Sequence, residues 1–201
     1  MDTRAHWDKA YTEKSETQVS WFQEVPARSL AMIAAASPHG SVIDVGGGAS
    51  RLVDALLEAG RADLAVLDIS QAALDRARAR LGARAALVSW LCADITRWTP
   101  ERTWDVWHDR AVFHFLTERP AQDAYIAALT AATRPGSAVI LSSFAPDGPE
   151  RCSGLPVQRY GAADLAARLG AGFVLTDQAT ERHVTPWGST QSFTYAAFWR
   201  V

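Results

Sequence analysis

Only two cysteines occur in the chain, Cys92 and Cys152, and they stand in unrelated contexts. That excludes a disulfide framework and a cysteine-rich zinc site, and it suits a reducing, cytoplasmic location. No block of Lys or Arg stands out and the formal net charge is −2, so no dedicated nucleic-acid surface is indicated. No apolar run approaches the roughly 20 residues that span a bilayer. The opening "MDTRAHWDKAYTEKSE" lacks the apolar centre of a signal peptide. Internal repeats, low-complexity tracts and linkers are missing as well. What remains is 201 residues, 48% hydrophobic and 21% charged, the composition of one soluble globular domain with a sizeable core.

The leading pattern along the chain is an alternation of strand and helix. After a short helix over Ser29 to Ala36, "SVIDV" is a β-branched apolar run that fits a buried parallel strand. Arg51 to Ala59 reads as a helix with Leu52, Ala55 and Leu56 on one face, stopped by Gly60. "LAVLDI" is a second strand, and Ser70 is a natural N-cap for the helix "QAALDRARARLG". Leu74, Ala77 and Leu81 give that helix an apolar stripe, with its arginines toward water. "ALVSWLCADI" and "TWDVWHD" supply the third and fourth strands. Pro120 opens a helix that "RPG" closes, and "SAVILSSF" is a fifth strand. Residues 145–160 carry too many breakers for regular structure and read as a long loop. A helix near Ala162 to Leu169 then precedes two strands joined by "TPWGST". The expected architecture is α/β, a parallel sheet with helices on both faces and one antiparallel strand from the final pair.

In "VIDVGGGASRLVDAL", residues 42–56, three consecutive glycines separate the first strand from its helix. Ligands of open α/β sheets sit beyond the carboxyl ends of the strands, and the loop after the first strand usually touches them. A dinucleotide fingerprint needs Gly at its first, third and sixth positions; Gly46 and Gly48 fit, but the sixth is Arg51. A phosphate loop needs a Gly-Lys-Ser/Thr, and no such lysine is present. Asp44, just before the glycines, would repel a pyrophosphate and suits a cationic ammonium or sulfonium group. Asp68 ends the second strand, placed to accept hydrogen bonds from both ribose hydroxyls. Asp94 follows the third strand, where it would meet an adenine amino group with Ile95 against the ring. The structural alternatives are tight packing at the glycines, an N-cap role for Asp68 and a surface turn at Asp94; their joint order and placement favour the ligand.

This Asp-x-Gly-x-Gly-x-Ser run, with acids ending strands two and three, resembles class I S-adenosylmethionine-dependent methyltransferases over nearly the whole chain. The resemblance implies a Rossmann-like, seven-stranded, mostly parallel sheet whose last strand is antiparallel. It implies that Asp44, Gly46, Gly47 and Gly48 hold the amino-acid part of the cofactor, Asp68 and Ile69 the ribose, and Asp94 and Ile95 the adenine. S-adenosylhomocysteine would be the product. Ser50 stands where glycine is frequent, a departure that should not abolish binding.

In that architecture the loop after strand four faces the methyl group. Here it reads "WHDRAVFHFL", so Asp109, His108, His114 and Arg110 are the catalytic candidates. Asp109 comes first, as a base or as the group orienting Arg110. Asp109 and Arg110 match the Trp-Asp-Arg run of thiopurine methyltransferases and their tellurite-handling relatives, with His108 extra. "HWDKAY" and "VSWF" are similar to those enzymes too, and equally to compact protein-lysine methyltransferases. The Asn/Asp-Pro-Pro-Tyr/Phe motif of amino-methylating DNA enzymes is absent. Residues 1–22 read as a lid whose Trp7, Tyr11, Trp21 and Phe22 would face a cation, with Trp21 a cofactor contact. Residues 145–160, with Cys152 and Arg159, read as an acceptor-side loop. Structural roles compete in each case: core packing for the aromatics, an ion pair for Asp109 and Arg110, a hydrogen-bonded role for the histidines. No metal is expected, since His108, His114, Cys152 and His183 are too scattered to form a motif.

Residues 1–201 are thus expected to form one methyltransferase domain acting on a small molecule by in-line displacement, because the cofactor fold takes nearly all the length. No nucleic-acid or membrane partner is expected. The rivals are a protein-lysine N-methyltransferase, a non-catalytic S-adenosylmethionine-binding protein, and a nicotinamide oxidoreductase, which Arg51 and Asp44 disfavour.

Overall fold

In the computed structural model, which describes residues 3–13 and 15–201, helix α1 (Thr3–Glu13) precedes a 3-10 turn at Glu16–Gln18 and helix α2 (Ala27–Ala36). Strand and helix then alternate through β1 (Val42–Val45), α3 (Leu52–Glu58), β2 (Leu64–Asp68), α4 (Gln71–Leu81) and β3 (Val88–Cys92). Next come β4 (Val106–Arg110), α5 (Arg119–Ala131) and β5 (Ala138–Phe144). A ribbon of β6 (Arg151–Cys152) and β7 (Leu155–Pro156) leads to α6 (Ala162–Leu169) and the hairpin of β8 (Phe173–Val184) and β9 (Thr190–Arg200). Met1, Asp2 and Lys14 of the expected lid lie outside the described residues.

The seven-stranded sheet has the order β3-β2-β1-β4-β5-β9-β8. β1 to β5 are parallel, and β9 runs antiparallel between β5 and β8. The order reverses between β1 and β4, and a crevice opens there beyond their carboxyl ends. Strand pleating sends alternate side chains to opposite faces. Ile43 and Val45 of β1 join Trp107, Val139 and Leu141 on the face covered by α5 and α6, through Tyr125, Leu129 and Leu165. Val42 joins Val66, Val106 and Ile140 on the other face, covered by α2, α3 and α4 through Ile33, Leu52 and Leu74. Both faces of the central strands are therefore buried, which is why these strands read as unbroken apolar runs.

Local signals place the helices. The Ser70 side chain accepts from the Ala73 amide to cap α4, and Pro120 sits in the first turn of α5. Three expectations need correction. Residues 145–160 are not wholly irregular: Ser153 (φ 49) and Gly154 (φ 78) make the tight left-handed turn of the β6–β7 ribbon. The arginines of α4 do not all face water, since Arg80 turns under the glycine loop. Finally, β4 runs on to Arg110, so His108, Asp109 and Arg110 belong to the strand and not to the loop after it. Among the described residues no helix is long and apolar enough to cross a membrane.

Candidate functional site

The alternation of β4 distributes its polar residues. His108 and Arg110 share the face of Val106, toward α2; Asp109 shares the face of Trp107, toward α5. His108 is buried and bonded at both ring nitrogens, Nδ1 lying 2.7 Å from Asp44 Oδ1 and Nε2 lying 2.9 Å from Ser29 Oγ. A ring proton on Nδ1 satisfies all three groups: the imidazole donates to Asp44 and accepts from the Ser29 hydroxyl. His108 thus fixes a carboxylate at the end of β1 and offers no free nitrogen to the crevice.

The glycines close tightly between that carboxylate and the next. Gly46 (φ 69) and Gly48 (φ 43) take left-handed backbone. A Cβ on Gly47 would stand 2.5 Å from Asp44 Oδ2, and one on Gly48 2.8 Å from Asp68 Oδ2. Side chains here would push both acids aside, so the bareness of the loop preserves the two carboxylates. Arg80 braces the turn from below: it pairs with Asp54 at 2.7 Å and donates to the Ala49 and Ser50 carbonyls at 3.0 and 2.8 Å.

A cleft runs over this turn, enclosing about 890 Å³ of non-protein space, its open mouth included. Asp68 stands at its floor, accepting from the Ser70 amide at 2.8 Å. Burial, then the nearby charges of Asp44 and Asp8, push its carboxyl up to about 7, while backbone amides of Ser70 and Ile69 pull it back. Ile69, Ile95, Val112 and Leu116 give the cleft apolar walls. Asp94 borders it with one oxygen engaged by Thr96 (amide 2.9 Å, hydroxyl 2.7 Å). Gly47 and Asp44 line an adjoining lobe with Trp21 and Phe22.

The roof comes from the N-terminal segment. Asp8 accepts from Ser70 Oγ at 2.7 Å and from the Ala72 amide at 3.3 Å, where the free amides of α4 favour a carboxylate. This docks α1, so that Trp7 meets Phe115 and Trp21 at ring separations of 5.1 and 5.7 Å. Tyr11 is buried beneath them.

The remaining candidates divide. Asp109 is fully buried away from the cleft; it accepts from the amides of Val112 (2.7 Å) and Phe113 (3.1 Å) and from the Tyr125 hydroxyl (2.6 Å). Burial first, against these bonds, raises its carboxyl to about 6. It holds the chain at Ala111, whose φ is 74, and does not pair with Arg110, which points to the other face. His114 is also fully buried, its Nδ1 accepting from the Phe144 amide at 3.3 Å, and burial with the Arg110 charge pushes its pKa down to about 3. Neither is among the residues that line the cleft. Arg110 does line the cleft, as does Cys152, whose thiol burial drives up to about 12. His183 donates to the Ser20 carbonyl at 2.7 Å. Among the described residues no three His, Cys, Asp or Glu groups converge as metal ligands. Ser29, Asp8, Val112 and Phe115 are site neighbours that no pattern in the sequence singles out. Ser29 is 79 residues from His108 and no local pattern links them.

Residues 42–136 match the family model of a methyltransferase domain. The fold recurs in an S-adenosylmethionine-dependent methyltransferase from Anabaena variabilis, with a TM-score of 0.79 and 15% identity, covering 100% of this chain and 96% of that one. It recurs in the Burkholderia thailandensis 1,6-didemethyltoxoflavin-N1-methyltransferase, solved with 1,6-didemethyltoxoflavin and S-adenosylhomocysteine (TM-score 0.72, 19% identity, 99% and 84% covered). The Bradyrhizobium japonicum N-methyltransferase NodS, solved with S-adenosylhomocysteine, gives a TM-score of 0.73 at 14% identity, with 96% and 97% covered. No curated protein sequence matches the chain. The chain therefore has the fold found in these S-adenosylmethionine-dependent methyltransferases, and residues 42–136 are similar to a methyltransferase domain.

Proposed function

We propose that the protein transfers a methyl group from S-adenosylmethionine to a small-molecule acceptor. The observation that carries this reading is the pair of buried acids, Asp44 and Asp68, on either side of a three-glycine turn at the switch point of the sheet. Asp44, oriented by His108, receives the ammonium of the amino-acid part, against the backbone of Gly46, Gly47 and Gly48. Asp68 accepts from the ribose hydroxyls beside Ile69. Asp94 offers its second oxygen to the adenine amino group, and Ile95 packs on the ring. These groups fit the cofactor because Asp44 meets its ammonium, Asp68 its ribose hydroxyls and Asp94 its adenine amino group, and the walls between are apolar.

The bound cofactor supplies a methyl carbon on a positively charged sulfur: an acceptor lone pair forms the new bond to carbon while the carbon–sulfur pair stays on sulfur, leaving S-adenosylhomocysteine. The chain contributes alignment and exclusion of water. Holding reactants in line accounts for roughly 7–11 kcal/mol in favourable intramolecular models, so no general base is required where the acceptor arrives with a free lone pair. His108 is a positioning residue acting through Asp44, and Asp109 and His114 support the backbone around the cleft. The aromatic roof and the β6–β7 ribbon narrow the opening, which favours a small acceptor over a protein lysine. The likeness of "HWDKAY", "VSWF" and Asp109–Arg110 to thiopurine and tellurite methyltransferases supports the same reading, since Trp7, Trp21 and Phe22 line the cleft.

A panel of thiols, amines, carboxylates and metalloid oxyanions, assayed for S-adenosylhomocysteine, tests the function. Turnover with at least one of them is expected. Methyl label entering only lysate protein would favour the lysine methyltransferase instead, and cofactor binding without turnover would favour a non-catalytic binder. The roof makes a second prediction. The aromatic roof should order over the cofactor, so S-adenosylhomocysteine should slow limited proteolysis of the N-terminal segment. Unchanged cleavage would mean that the aromatics are only core packing.

A further inference from the structure

The cation at the end of β4 lacks an anion. Arg110 is held on three sides: Nε donates to the Tyr195 hydroxyl at 3.0 Å, Nη1 donates to the Trp21 carbonyl at 3.0 Å, and the guanidinium carbon lies 4.7 Å from the Phe193 ring centre. All three partners are neutral. The buried Nη2, with two N–H bonds, has no acceptor. Among the described residues no carboxylate forms an ion pair with Arg110, although at least nine other arginines do pair.

 The other titratable groups around Arg110 give no counter-charge either: Cys152 is held as the thiol by burial, and His114 and His183 are pushed toward their neutral forms. A buried cation without a partner is costly, and the structure tolerates it where a ligand completes the site.

Arg110 also lines both lobes of the cleft. Its neighbours Ser142 and Tyr195 lie on β5 and β9, across β1 and β4 from Asp68 and the ribose side. We infer that Arg110 is the specificity residue for the acceptor, and that the acceptor carries an anionic oxygen group, a carboxylate or a phosphate, seated on Nη2. This rests on the methyltransferase reading, because it assigns the β5 side of the cleft to the acceptor.

The test uses the full chain with S-adenosylhomocysteine bound, and benzoate, phenyl phosphate and benzamide as probes, followed by calorimetry. At least one anion should bind about tenfold or more tighter than the amide, as expected for a hydrogen bond to a charged group. The preferred anion separates carboxylate from phosphate. Arg110→Gln should remove the preference. Equal binding of amide and anions, or no anion binding, overturns the inference, and this comparison needs only the wild-type chain. A rival partner for Arg110 is the carboxylate of the cofactor itself. If Arg110→Gln weakens S-adenosylhomocysteine about tenfold but leaves 5′-methylthioadenosine, which lacks the amino-acid part, unaffected, the cofactor holds Arg110 and the inference is overturned. If S-adenosylhomocysteine fails to bind the wild type, the methyltransferase reading falls, and the inferred acceptor role falls with it whether or not the anions bind.

Discussion

Asp109→Ala is expected to destabilise the fold by on the order of 3–5 kcal/mol. The carboxylate is fully buried and accepts from the amides of Val112 and Phe113 and from the Tyr125 hydroxyl. Tyr125 in turn accepts from the Trp107 indole at 2.9 Å. Removing the acid leaves three buried donors without an acceptor, each costing about 1–3 kcal/mol, and their sum is reduced where water enters the gap. Asp109→Asn keeps the volume but turns one oxygen into a donor facing the Phe113 amide and the Tyr125 hydroxyl, so it should cost less than alanine and still be measurable. Urea unfolding reads both. Folded molecules of either variant should keep their cofactor affinity, because Asp109 does not reach the cleft. A variant as stable as the wild type with turnover lost would restore Asp109 as a catalytic base.

Asp68→Asn should move stability and binding in opposite directions. In the ligand-free protein, burial and the charges of Asp44 and Asp8 raise this carboxyl from 3.8 to about 7. Between those values the native state keeps a proton that the unfolded chain has released. The stabilising contribution of the group is therefore complete below about 3.8 and is lost as pH rises through about 7. At about pH 8 the wild type buries an ionised acid that the asparagine variant lacks, so the variant should melt higher than the wild type there, and the advantage should vanish by about pH 4. The same variant should bind S-adenosylhomocysteine about 10- to 100-fold more weakly at pH 8, since hydrogen bonds to a charged acceptor are worth about 1.5–3 kcal/mol. A variant that melts lower at pH 8, or that binds as tightly as the wild type, contradicts this role.

Much of this frame is legible in the chain itself. β1, β2 and β5 read as strands because burial on both faces demands continuous apolar residues, and Ser70 and Pro120 mark helix starts through local chemistry. Asp44, Asp68 and the glycines are legible as a group because strand ends and the loop between them are adjacent in sequence. What pairs across the fold is not. Nothing near His108 names Ser29 or Asp44 as its partners, and the polarity of "HDR" hides the fact that β4 continues through it. Only the alternation of that strand shows that His108 and Asp109 must face opposite layers, which removes the acid–arginine pair that the adjacent letters suggest. α1 is similarly hidden, since Trp7 and Tyr11 alone form a thin apolar stripe among charged residues, and the Asp8 contact with α4 exists only after docking. Arg80 looks solvated from its helix and becomes a brace through Asp54 and two carbonyls of the glycine loop.

Asp68, beside the glycine turn, is proposed to bind the ribose of S-adenosylmethionine. Calorimetric titration of S-adenosylhomocysteine into the wild type and Asp68→Asn, from about pH 5.5 to about pH 8.5, tests it most directly. Saturable binding to the wild type is expected, strengthening as pH rises toward about 7, where Asp68 loses its proton, and then levelling off. The asparagine variant should bind weakly with that rise removed. No binding at any pH, or the same affinity and pH dependence in both proteins, would contradict it.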